Sequence, residues 1–200
     1  DTEIKQFYLD NFINKGFPNR RDENWKFSDL NQIIKKNIGE LSFYNDYTST
    51  NKVDTSLFVD GLEHNKIVFI NGRIEKIDFD YERKDQIEII DKSETINRFN
   101  NNNSLSDLNN AFTNKSFKII VKNGYQLVKP LIIYHITNSD IWSKNINLRL
   151  DFELGKDSSL RLIDLYNNTS EKNFLNIFYN FDLKENAVLK NYKVDKLENK

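Results

Sequence analysis

The chain has 200 residues, which is enough for one large domain or two small ones with a substantial core. Its 29 basic and 30 acidic residues give a net charge of −1, which excludes a strong overall field for nucleic acid or an anionic membrane. The absence of cysteine and methionine excludes disulfides and thiolate metal sites within these residues, and it indicates a fragment of a longer protein. The sequence shows no run of 18 apolar residues and no signal-peptide pattern, which predicts a soluble, cytoplasmic protein.

The first segment, residues 1–62, is predicted to be an N-terminal helical region. Apolar residues recur at helical spacing from Ile4 to Phe12, and Gly16 ends the pattern. A second short helix is predicted after Ser28, whose side chain could cap it.

Between these two helices, the stretch FPNRRDENWKFSDL holds four residues that could form a binding site. They are Arg20, Arg21, Trp25 and Lys26. Basic and aromatic side chains can hold a phosphate or stack on a base. They can also form a corner in which the tryptophan is buried and the charges stay in water. The stretch alone favours this structural interpretation, as a packing or docking corner.

The second segment, residues 63–116, is predicted to be a hairpin and a connecting segment. Lys66 to Ile70 and Arg73 to Phe79 alternate as strands, and Asn71-Gly72 between them is typical of a type I′ turn. Two further elements are predicted here, a strand from Gln86 to Ile90 and a short helix from Ser104.

The third segment, residues 117–200, repeats one pattern with a period of about 29 residues. The alternating apolar face of Ile146 to Leu154 returns 29 residues later at Leu175 to Leu183, and it begins 29 residues earlier at Phe117. Two strands and two turns per period predict a mainly β fold, the first coils of a parallel β-helix. Two columns of stacked residues follow from the period: Ile119, Leu148 and Ile177, and Leu131, Leu160 and Leu189.

Few residues point to catalysis or to a bound cofactor. The two histidines, His64 and His135, have no neighbouring ligand pattern and are interpreted as structural. The serines lack a nucleophile elbow, and the six glycines form no phosphate-binding loop. The sequence therefore predicts no catalytic, cofactor or metal residue and no enzyme. A polysaccharide-cleaving β-helix is the enzymatic alternative.

Several stretches resemble the SufD family, a component of the SUF system for iron-sulfur cluster assembly. PNRRDENWKFSDL resembles the family's early segment P-x-R-x-x-E-x-W, followed by a basic, an aromatic and a hydroxyl residue. The other matching stretches follow in the family's order: IVFINGRI at 67–74, LNNAF at 108–112, PLIIYHIT at 130–137, and Asn186-Ala187 with Leu189. The resemblance covers essentially the whole chain.

The resemblance implies a non-catalytic scaffold subunit whose N-terminal helical region is followed by a right-handed parallel β-helix. It implies pairing with a SufB-like subunit through the β-helix, and binding of a SufC-like ATPase through a C-terminal region beyond residue 200. The complex would assemble the iron-sulfur cluster, with no cofactor bound by this fragment and with thiolates supplied mainly by SufB. The cluster-site residues would likewise lie beyond residue 200.

With this family in view, Arg20, Trp25 and Lys26 are interpreted as a packing corner or docking surface, and no nucleic acid or membrane partner is expected. Two alternatives stay open. One is a SufB-like scaffold, which a late cysteine in the full-length sequence would identify. The other is a β-helix carbohydrate-active enzyme or binding module, which a bound sugar or metal would support.

Overall fold

A computed structural model describes residues 2–43, 54–92, 103–113, 116–138, 141–168 and 172–195. Parts of the first two predicted segments, 44–53 and 93–102, lie outside the described residues. The helices are α1 (Thr2–Lys15), α2 (Leu30–Asn37) and α3 (Ser104–Phe112). The strands are β1 (Ser42–Phe43), β2 (Asn65–Ile70), β3 (Arg73–Asp78), β4 (Ile87–Asp91), β5 (Ser116–Val121), β6 (Leu131–Thr137), β7 (Lys144–Leu154), β8 (Ser159–Asn168), β9 (Asn173–Leu183) and β10 (Val188–Asp195).

The predicted N-terminal helices are confirmed, and α1 packs against α3. Tyr8 is fully buried beside Ala111 in this contact. The predicted cap of α2 is wrong by one residue, because Asp29 and not Ser28 directly precedes the first helical turn. The Asp29 carboxylate accepts a hydrogen bond from the Gln32 amide at 3.0 Å.

The predicted hairpin is confirmed as β2 and β3, which pair antiparallel. Asn71 and Gly72 have φ angles of 51° and 81°, as a type I′ turn requires. The strand β2 continues into a larger sheet by pairing in parallel with β6. The segment predicted as a connection therefore supplies strands to both sheets, because β4 pairs with β5.

The fold is mainly β and is built on two mixed sheets. In the first sheet, β7 has β9 on one side and both β1 and β5 on the other, and β4 follows β5. The second sheet has the order β10-β8-β6-β2-β3. The pairs β4–β5 and β2–β3 are antiparallel, and the other pairs between these strands are parallel.

The 29-residue offset holds for the last strand pair of each sheet. In the first sheet Leu148 lies opposite Ile177, and in the second Leu160 lies opposite Leu189. Residues one period apart along the chain are therefore neighbours across two parallel ladders. The order of strands along the chain alternates between the two sheets from β5 to β10.

The predicted columns are wrong for the earlier strands. Ile119 lies opposite Phe152 and not Leu148, and Leu131 lies opposite Leu162 and not Leu160. The reason is turn length, because ten positions separate Val121 from Leu131, whereas eight separate their partners Leu154 and Leu162. The connection from β6 back to β7 is also two residues longer than the connection from β8 to β9. Since each change is even, the inward face is preserved.

One apolar core lies between the two sheets. Its buried members come from both sheets, and Leu148, Leu150 and Phe152 on β7 are at most 1% exposed. A smaller cluster on the outer face of the second sheet is covered by Leu57, Phe58 and Val59. No helix in the described part of the chain is both long and apolar enough to cross a membrane.

Candidate functional site

The predicted docking corner lies in a 3₁₀ turn between α1 and α2. Arg20, Arg21 and Lys26 are exposed, and Trp25 is half-buried. Sequence reasoning missed Phe27, whose side chain is 90% exposed. The Phe27 ring lies 6.0 Å from Lys26 Nζ, so it is a surface feature and does not add to the core.

A cavity of about 620 Å³ lies beside Trp25. The described residues that line it are mostly polar and include carboxylates: Lys15, Pro18, Asp22, Glu23, Asn24, Trp25, Asn103 and Ser104. The two arginines and Lys26 are not among them. The structure thus does not bring Trp25 and the three predicted cations together around one cavity.

Glu82 is a buried carboxylate whose two oxygens accept four hydrogen bonds. Its Oε1 accepts from Asn65 Nδ2 at 2.7 Å and from the Lys129 amide at 3.0 Å. Its Oε2 accepts from the Tyr125 hydroxyl at 2.6 Å and from the Val128 amide at 3.1 Å. Burial alone would raise the pKa of Glu82, but these hydrogen bonds outweigh burial and lower it. Glu82 therefore fixes the turn before β6.

A second group of polar residues, two buried and two half-buried, lies between the sheets, where the neighbouring positions are apolar. It consists of His135 on β6, Asp164 and Tyr166 on β8, and Tyr179 on β9, and we call it the inter-sheet cluster. The alternation of β6 and β8 turns these side chains inward, in phase with core residues of the same strands. His135 is 2% exposed and Asp164 is fully buried.

The hydrogen bonds of the inter-sheet cluster fix its protonation. The Tyr179 hydroxyl donates its single proton to Asp164 Oδ1. Tyr179 Oη therefore accepts from His135 Nε2, 2.9 Å away, so the imidazole proton lies on Nε2. His135 Nε2 also lies 3.4 Å from Asp164 Oδ1. Neither His135 Nδ1 nor Asp164 Oδ2 has a hydrogen-bond partner in the described part of the protein.

The surroundings of the inter-sheet cluster favour the neutral forms of His135 and Tyr179. Burial lowers the pKa of His135, and the hydrogen bond and charge of Asp164 only partly offset this. Burial and the Asp164 charge raise the pKa of Tyr179 well above its usual range. The His135 ring stacks between Phe69, at a centroid distance of 5.6 Å, and Tyr166, at 4.9 Å. Lys193 lies opposite Asp164 in the ladder of β8 and β10.

Sequence reasoning interpreted His135 as structural and did not single out Asp164 or Tyr179. A signal was nevertheless present in the alternation. His135 follows Leu131 and Ile133 in the inward phase of β6, and Asp164 takes an inward position on β8. Polar residues at inward positions of two strands that pair indicate a buried polar group.

The strands β9 and β10 lie at one end of the two sheets. Each pairs with one strand, and no strand of the described residues pairs with its second edge. Three large apolar residues on β10 are exposed: Val188, Tyr192 and Val194, with exposures of 49%, 56% and 44%. An apolar strand with an unpaired edge is a surface on which another chain can add.

Across the described ranges, no group of three or more His, Cys, Asp and Glu residues is arranged to hold a metal ion. The inter-sheet cluster contains one histidine and one aspartate, and its other two members are tyrosines. Compared with models of known protein families and with curated proteins, the sequence matches none.

Proposed function

We propose that this chain is a SufD-like, non-catalytic scaffold subunit of the SUF iron-sulfur cluster assembly complex. The observation that carries the proposal is the 29-residue offset of β7–β9 and β8–β10. Parallel ladders that advance by one period on two facing sheets are expected of a parallel β-helix. We infer that the described residues between 117 and 195 belong to coils of such a helix, right-handed as in the SufD family.

The positions of the SufD-like motifs support the proposal. The stretch around Trp25 forms the turn between α1 and α2, and IVFINGRI forms the hairpin of β2 and β3. PLIIYHIT forms β6, the middle strand of the second sheet. Each motif therefore occupies an element that joins the helical region to the sheets or lies within them.

In this proposal the SufB-like subunit pairs through the β-helix, on the surface that carries the exposed side chains of β10. Val188, Tyr192 and Val194 are exposed there and suit such pairing. The exposed Arg20, Arg21 and Lys26 beside Trp25 form a docking surface of the N-terminal region. The SufC-like ATPase binds beyond residue 200. The cluster is assembled by the complex in the cytoplasm, without a cofactor held by these 200 residues.

The proposal predicts that charges on β10 prevent pairing with SufB. The full chain, produced together with a SufB-like subunit, is expected to form a one-to-one heterodimer in sedimentation measurements. Combining Tyr192→Glu with Val194→Glu should abolish the heterodimer, because two carboxylates would have to be desolvated at the interface. Both side chains are exposed, so the melting temperature should change little.

Ile77→Glu is the matched control, because Ile77 is 47% exposed on β3, at the opposite edge of the same sheet. This variant should pair normally. Failure of the unaltered chain to pair with any SufB-like subunit would refute the proposed function. Equal loss of pairing in the β10 and β3 variants would refute the placement of the interface.

A further inference from the structure

We propose that the inter-sheet cluster is a binding site for one hard trivalent cation, with ferric ion as its representative. The ligands are Tyr179, Tyr166, Asp164 and His135. This site goes beyond the scaffold function and does not rest on it, because a single ion held by oxygen and imidazole donors is not an iron-sulfur cluster.

The donor atoms already converge on one point. Tyr179 Oη lies 2.9 Å from His135 Nε2, and His135 Nε2 lies 3.4 Å from Asp164 Oδ1. Tyr179 Oη also hydrogen-bonds Asp164 Oδ1, and Tyr166 interacts with Tyr179 through its hydroxyl. Ligand atoms about 2.1 Å from one ion lie about 3 Å apart when they are adjacent in its coordination shell. Only a small outward movement would therefore admit an ion.

Charge balance favours a trivalent ion. Binding would break two O–H bonds, releasing one proton from Tyr179 and one from Tyr166, and would form two phenolate–metal bonds. The proton on His135 Nε2 would move to Nδ1, which frees the Nε2 lone pair for the ion. Two phenolates and the Asp164 carboxylate then neutralise three positive charges, so the filled site carries no net charge in a buried position. Three hard oxygen donors select a hard ion.

The unpartnered atom of Asp164 supports the site. Asp164 Oδ2 is buried without a hydrogen bond, and a second oxygen of the same carboxylate can complete a bidentate ligand. The other buried histidine provides a contrast, because His64 has partners on both ring nitrogens, the Leu62 carbonyl and the Tyr134 hydroxyl. Of the four buried side-chain atoms without a hydrogen-bond partner in the described residues, two belong to the inter-sheet cluster, and the other two are Asn65 Oδ1 and Ser158 Oγ.

Among the described residues, the route from solvent to the inter-sheet cluster passes β9 and β10. Tyr179 is on β9 and is part-exposed, and Lys193, opposite Asp164 on β10, is exposed. Lys193 is the cation nearest to this route in the ladder, and its charge opposes a bound cation. We therefore expect Lys193→Gln to strengthen binding, and the charge of Lys193 to disfavour weakly held divalent ions more than a trivalent ion.

Titration of the full chain with ferric nitrilotriacetate tests the site. One equivalent of ferric ion should produce a visible tyrosinate-to-iron charge-transfer band and a ferric signal in electron paramagnetic resonance. Tyr179→Phe removes the central ligand and should weaken binding at least about tenfold. Tyr166→Phe should reduce the band by removing one of two phenolates, and it provides a second variant should the first fail to fold.

Tyr192→Phe is the matched control, because Tyr192 lies on β10 and is 56% exposed outside the core. It should leave the band unchanged. Absence of the band in the unaltered chain, or its persistence in folded Tyr179→Phe and Tyr166→Phe, would overturn the site. Loss of the band in Tyr192→Phe would show surface binding only and would overturn it equally. Pairing with SufB is a separate readout, so the site and the scaffold function can fail independently.

Discussion

Replacing Leu150 by aspartate is expected to unfold the region of the two sheets. Leu150 is fully buried on β7, between Phe117 on β5 and Tyr179 on β9. An unpaired carboxylate at this position must either be desolvated or take up a proton, and the core also loses the packing of the leucine. The loss of unfolding free energy should be about 4 to 5 kcal/mol or more, comparable to the whole stability of many domains.

Thermal unfolding followed by circular dichroism measures this effect. Val128→Asp is the matched control, because Val128 is 58% exposed, and its melting temperature should stay close to that of the unaltered chain. A Leu150→Asp variant that melts at the unaltered temperature would show that β7 does not lie at the centre of the core.

Replacing Glu82 by glutamine is expected to lower the unfolding free energy by roughly 2 to 4 kcal/mol. The Glu82 carboxylate accepts from two side chains and two backbone amides, whereas a glutamine amide turns donors toward some of them. The loss of unfolding free energy comes from hydrogen-bond donors that are left without an acceptor in a buried turn. Glu63→Gln is the matched control, since Glu63 is largely exposed and forms a surface ion pair with Lys129.

The Glu82→Gln substitution should also make the unfolding free energy depend less on pH in the acid range. The pKa of Glu82 is lower in the folded protein, so the unfolded chain binds more protons. The stabilisation is complete above the unfolded pKa of about 4.3 and is lost as the pH falls through the lowered folded pKa. Urea unfolding between neutral pH and pH 3 should show a smaller acid loss for Glu82→Gln. An unchanged acid dependence would contradict this role.

Local features of the sequence predicted the elements well, because each depends on neighbouring residues. Asn71-Gly72 was sufficient for the hairpin, since few other pairs adopt two positive φ angles. The 29-residue step predicted the ladder in which Leu148 lies opposite Ile177. The same step holds for Leu160 and Leu189, because the turn from β7 to β8 is as long as the turn from β9 to β10. The cap of α2 was wrong only in the choice between adjacent residues, Ser28 and Asp29.

Features that depend on tertiary contacts could not be predicted in the same way. The predicted partners of the earlier strands were wrong because their turns are longer than those of the later strands. Ile119 therefore lies opposite a residue four positions beyond the predicted Leu148. The inter-sheet cluster joins residues from three strands, and its meeting point depends on how the two sheets face each other. The exposure of Phe27 also follows from the path of the turn and not from its composition.

The 29-residue step also has a kinetic consequence. Pairing of β7 with β9, or of β8 with β10, joins residues only 29 positions apart along the chain. The contacts of the N-terminal region join residues much farther apart: Lys15 and Asp107 are separated by 92 positions, and Ser42 and Ser143 by 101. Loop closure costs more entropy as the loop lengthens, so nearby strands should associate first. We expect β7 to β10 to gain protection from amide exchange before α1 docks on α3. Earlier protection of the Ser42 amide than of the β9 amides during refolding would reverse that order.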